Sequence, residues 1–98
     1  MRANGMRPVH PGEILRDELD ELEMSPHALA KALVVPPNRI TAILKGQRGI
    51  TADTALRLSR YFGTTPQFWM NLQQTFELRT AEETTGAEVA AAVQPRLS

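Results

Sequence analysis

Residues 25–48 read SPHALAKALVVPPNRITAILKGQR, and the fold turns on how this stretch is parsed. Ser25 followed by Pro26 is a helix start: the serine hydroxyl can accept from a free N–H, and proline suits the first helical position. Leu29, Ala30 and Leu33 recur at helical spacing and form one inner face. Pro36–Pro37 then stops the chain from continuing, because a residue before proline avoids the helical region. A second short helix is predicted over Pro37 to Leu44, held inward by Ile40, Ile43 and Leu44 and ended at Gly46.

Two helices this short bury little if they lie side by side. A steep crossing buries more, and the small Ala30 lets the second helix approach the first closely. That is helix-turn-helix geometry, which offers the second helix to the DNA major groove. Its outward side then carries Asn38, Arg39, Thr41, Ala42 and Lys45. A side-chain amide pairs bidentately with adenine, and threonine and alanine methyls suit a thymine methyl. Phosphate contacts are expected from Arg39, Lys45, Arg48 and His27. The helix N-termini can hold phosphate too, less strongly for the donors that Pro26 and Pro37 remove. The alternative reading of the same spacing is an ordinary αα-hairpin inside a small bundle.

Working outward, the helical period continues on both sides. A first helix is predicted from Pro11 to Met24, with Leu15, Leu19 and Leu22 as its buried stripe. His10 stands at its start. A fourth helix is capped by Thr51, with Ile50 as a hydrophobic staple, and packs through Ala55, Leu58, Ser59 and Phe62 before Gly63 ends it. A fifth is capped by Thr65 and carries Phe68, Trp69, Leu72 and Phe76. The aromatics suggest an interface for a second subunit or a partner, with Phe68 inward and Trp69 and Leu72 near the surface; a plain core role is the alternative. The expected fold is all-α, with five helices.

Composition narrows the functions. The chain has 98 residues and no cysteine, so it is one domain without disulfides, thiolate metal sites or cysteine nucleophiles. No metal-binding spacing, phosphate loop or nucleophile–base set occurs, so neither an enzyme nor a cofactor is expected. No apolar run is long enough to span a membrane, and the chain reads as cytoplasmic. Net charge is zero, but its distribution is uneven. Between Ser25 and Met70, Lys31, Arg39, Lys45, Arg48, Arg57 and Arg60 face the single acid Asp53, a net of +5. Between Glu13 and Glu23 the net is −5. Local charge governs phosphate attraction, because screening acts over about 10 Å.

Four blocks in order, HPGEIL, VPPNRI, KGQRGITADTALRLSRYFGT and PQFWMNLQ, resemble the HigA-type (VapI-like) antitoxins of the phage-repressor helix-turn-helix family. The resemblance covers about Val9 to Arg79. It implies a five-helix, lambda-repressor-like domain that binds double-stranded operator DNA as a homodimer, represses its own operon and neutralises a HigB-type ribonuclease toxin. It places base contacts at Pro37, Asn38, Thr41 and Ala42. A stand-alone regulator without a toxin is the alternative. Two positions depart from the pattern. Val34 stands where the family usually has glycine, so the turn is either reshaped or strained by roughly 1–2 kcal/mol. Pro26 stands where glutamine is common, which lowers DNA affinity or moves it to other contacts. The domain is expected over residues 9–79, with residues 1–8 as a flexible lead and residues 80–98 as a poorly ordered or partner-ordered tail.

Overall fold

The computed structural model describes residues 7–96. Five helices make up its regular structure: α1 Pro11–Leu22, α2 Pro26–Leu33, α3 Pro37–Leu44, α4 Ala52–Phe62 and α5 Pro66–Ala92. Among the described residues there is no strand, and no helix is long and apolar enough to cross a membrane.

The helix starts are closed locally. The Ser25, Thr51 and Thr65 side chains accept from the backbone N–H groups of Ala28, Thr54 and Phe68. His10 does the same for α1: its Nδ1 accepts from the Gly12 N–H at 2.9 Å, while the Glu13 carboxylate takes the His10 N–H at 3.2 Å. The pair forms a capping box with histidine in the serine position. Helices α1, α2 and α3 all end in the same reversal. A residue at positive φ (Glu23, Val34, Gly46) is followed by one whose N–H reaches back five residues, Met24 to Leu19, Val35 to Ala30 and Gln47 to Ala42.

The core joins all five helices through Leu15, Leu19, Leu29, Ala30, Leu33, Ile40, Ile43, Ile50, Ala55, Leu58 and Trp69. Leu22, expected in the stripe of α1, is instead 52% exposed. The helix ends at Leu22 rather than Met24, and the reversal at Glu23 turns Met24 inward against the core in its place. Gly12 sets the approach of α1 to α3: a Cβ there would run into the Ile43 carbonyl.

Helix α5 continues well past Arg79. Its outer half, Thr80 to Ala92, stays helical on alanine-rich composition and its own backbone bonds, Gly86 included. Thr84 and Thr85 donate back to the carbonyls of Thr80 and Ala81 at 2.9 and 3.0 Å. Thr80 and Gly86 apart, these residues are exposed. The arm accounts for the elongated outline of 52 × 28 × 23 Å. Residues 1–6, most of the expected flexible lead, lie outside the described residues, as do the last two of the tail.

Candidate nucleic-acid interface

Helix α3 sits at the edge of the globule with Ile40 and Ile43 buried beneath it. Pro37, Asn38 and Lys45 are exposed, and Thr41 and Ala42 are half-buried on the same outer flank. Arg48 and His27 are exposed on neighbouring segments. Hence the polar flank is exposed at both ends and partly accessible between them. Pro36 is the N-cap of α3 and no side chain closes that end, so the N–H groups of its first turn are free of a side-chain acceptor.

Arg39 is placed differently from its neighbours. Its Nη1 donates to Asp53 Oδ2 at 2.6 Å, which draws the guanidinium back toward α4. The same oxygen accepts from Arg57 Nε at 2.9 Å. The Arg57 bond, then that of Arg39, holds the Asp53 carboxyl below its ordinary range. Arg57 also donates through Nη1 to the carbonyls of Leu33 and Val34, at 2.8 and 3.3 Å. Residues Arg57 and Asp53 had no part in the sequence reading beyond their charge. The i,i+4 spacing of an acid and a base on one helix was visible, but the carbonyls that Arg57 serves lie more than twenty residues away.

Val34 takes the strained option: φ 59° and ψ 50°, with a side chain 80% exposed. The turn therefore keeps the glycine-type backbone and does so with a β-branched residue, at a cost of about 1–2 kcal/mol.

The aromatic block faces the other way from expectation. Trp69 is 2% exposed and its indole N–H donates to Thr64 Oγ1 at 2.9 Å, whereas Phe68 is 43% exposed. The short 64–66 segment supplies a polar partner inside, and burial of the larger ring gains more. Leu72 is half-buried beside Phe68, and Phe76 packs edge-on against the His10 ring at 4.8 Å. Phe68 and Leu72 join Val9, Ile14, Asn71, Thr75 and Arg79 in lining a shallow, mostly apolar groove between α1 and α5. Gln73 was also unforeseen. It is buried, its Oε1 accepts from the Ile50 N–H at 2.7 Å, and its Nε2 donates to Glu77 at 2.8 Å. A Cβ on Gly49 would collide with its amide.

Two short packed helices, α2 and α3, joined by a tight turn and with an accessible polar flank on the second, are the parts of a helix-turn-helix protein, and the helix-turn-helix family model matches residues 15–69. Among curated proteins, the virulence-associated protein I of Dichelobacter nodosus is 58% identical over 81 residues, covering 82% of this chain and 75% of that protein. Among solved structures, a HigA-family addiction module antidote protein from Coxiella burnetii superposes with a TM-score of 0.91 at 54% identity, covering 93% of this chain and all of that one. Antitoxin HigA of Pseudomonas aeruginosa, solved with the higBA promoter, gives 0.90 at 52% identity over 93% of this chain and 100% of its own. The chain belongs to the HigA-type antitoxins of the helix-turn-helix family, a group of DNA-binding regulators and not of enzymes.

Proposed function

We propose that this protein is a cytoplasmic antitoxin and repressor. It binds a palindromic operator upstream of its own operon as a homodimer, and it neutralises a HigB-type ribonuclease toxin. The observation that carries the DNA half is the outer flank of α3, where Asn38 and Lys45 are exposed and Thr41 and Ala42 are half-buried between them. Asn38 reads adenine, Thr41 and Ala42 meet thymine methyls, and Pro37 sets the approach of the helix end. Lys45, Arg48 and His27 reach phosphates; Arg39 joins them only if its guanidinium leaves Asp53. The likeness to a HigA solved with promoter DNA supports the same reading.

The dimer contact is assigned to the groove where Phe68 and Leu72 are accessible. Phe76 backs it from the His10 side, and Trp69 acts only from beneath, as the buried support of Phe68. The exposed outer half of α5, Thr80 to Ala92, is an arm completed by a partner.

A mobility shift with the duplex upstream of the operon is the test. Asn38→Ala is expected to weaken specific binding by about 1–3 kcal/mol, and the footprint of a dimer should show half-sites roughly 34–36 Å apart. Parent-like binding by Asn38→Ala removes the assignment of α3. Co-purification from the native operon decides the toxin: a small basic protein retained by the chain supports the antitoxin reading, and its absence leaves a stand-alone regulator.

A further inference from the structure

Helix-turn-helix units usually hold their own turn, but here three local means are missing at once. The reversal residue is a valine at positive φ rather than glycine. The N-cap of α3 is a proline with no side-chain bond to offer. Pro36 and Pro37 together remove two backbone donors from the turn. What replaces them comes from α4. Arg57 holds the last carbonyl of α2, Leu33, that of the turn residue Val34, and through Nε the carboxylate of Asp53. Asp53 in turn holds Arg39 in the first turn of α3. One arginine and one aspartate thus tie the end of α2, the strained turn and the start of α3 to a single rigid helix.

We propose that Arg57 and Asp53, which lie outside the DNA-reading helix pair, are positioning residues for operator recognition: they fix the angle at which α3 presents Asn38 and Thr41. The inference rests on the reading that α3 enters the major groove. It runs against simple charge counting. Asp53 is the lone acid in the basic stretch, so deleting its charge ought to tighten binding to any polyanion. A positioning role demands the reverse for the cognate sequence, because Arg39 and Arg57 lose the group that aligns them. Arginine is needed at 57 because its fork serves a carboxylate and two carbonyls at once; the single ammonium of lysine cannot match that geometry.

The experiment titrates the full-length chain against two duplexes, the DNA immediately upstream of its operon and a scrambled sequence of equal composition, at several salt concentrations. For Asp53→Asn, binding to the upstream duplex is expected to weaken about fivefold to tenfold while the scrambled duplex is bound as well or better. For Arg57→Lys, a similar loss on the upstream duplex is expected with the salt slope unchanged. If Asp53→Asn holds the upstream duplex as tightly as the parent, the proposal fails. It also fails if Arg57→Lys holds the upstream duplex like the parent, or if Arg57→Ala weakens both duplexes alike and lowers the salt slope by about 0.9, the signature of a lost phosphate contact. Two controls separate the causes. Val34→Gly placed in the Arg57→Ala background should raise the melting temperature without restoring the upstream affinity; full recovery of both would mean that Arg57 acts through stability alone. Asn38→Ala tests the underlying reading: if it loses sequence preference while the Asp53 and Arg57 variants keep theirs, α3 still reads DNA and only the positioning role falls. If Asn38→Ala keeps its preference, the α3 reading falls and takes the proposal with it.

Discussion

Between Leu33 and Pro37 the chain is short, strained and tied from α4; between Thr80 and Ala92 it is long and relaxed, with its side chains mostly in solvent. Both regions are helix or helix boundary, the first rich in proline and valine and the second in alanine. The turn holds a β-branched residue at φ 59° because a reversal bond, an arginine fork and the burial of Ala30 and Ile40 in the common core outweigh about 1–2 kcal/mol of local cost. The arm needs no such support because alanine, glutamate and threonine can propagate a helix already nucleated on the core, though such a helix gains little stability from exposed side chains. Position is therefore expensive in tertiary contacts, and helicity alone is not.

The contrast can be broken most severely at Gly12, where the close approach of α1 fixes the far side of α3. Gly12→Ala drives a methyl into the Ile43 carbonyl, and a loss of at least about 2–3 kcal/mol is expected from a thermal melt. Replacing Gln73 with leucine should cost nearly as much, about 1–3 kcal/mol, since the buried Ile50 N–H loses its acceptor. Val34→Gly acts in the opposite direction. The left-handed strain disappears, the added freedom of the unfolded chain takes back part of it, and a net gain of about 1 kcal/mol is expected in denaturant unfolding. A destabilised Val34→Gly would mean that the exposed valine packs on something after all.

Smaller effects come from the surface. Glu13 accepts from Arg7 at 2.6 and 2.7 Å and from the His10 N–H, which brings its carboxyl down from 4.5 to about 2. A depressed carboxylate stabilises the fold above its unfolded value and stops doing so once protonated. Stability should accordingly decline as pH falls from about 4.5 toward 2, and Glu13→Gln should flatten that part of the profile. Smallest of all is truncation after Arg79. Monomer stability measured at low concentration should change by less than about 0.5 kcal/mol, because the arm contributes little burial. A large drop would show that the outer half of α5 already has a partner surface.

Helix count, the caps at Ser25, Thr51 and Thr65, the end at Gly46 and the free flank of α3 were all readable from spacing and residue type, because each depends on residues a few positions apart. The aromatic pair was not. Periodicity places Phe68 and Trp69 only 100° apart on a helix, and the choice of which enters the core was settled by the Thr64 hydroxyl that meets the indole. Leu22 was misplaced for a similar reason, since one residue at positive φ decides whether it or Met24 turns inward. The tail reads as poorly ordered or partner-ordered because it lacks large apolar residues to dock, and α5 continues to Ala92 with nearly all of those side chains exposed.

Local order in the chain was thus enough to determine five helices and most of their starts, since caps and apolar spacing act over one or two turns, while the four-block resemblance pointed to a DNA-reading class. Only the packed structure decided that Arg39 answers to Asp53, that Arg57 secures a turn more than twenty residues away, and that tryptophan rather than phenylalanine closes the core. Those outcomes depend on which side chains meet after the helices have crossed, and distance along the sequence carries no information about that.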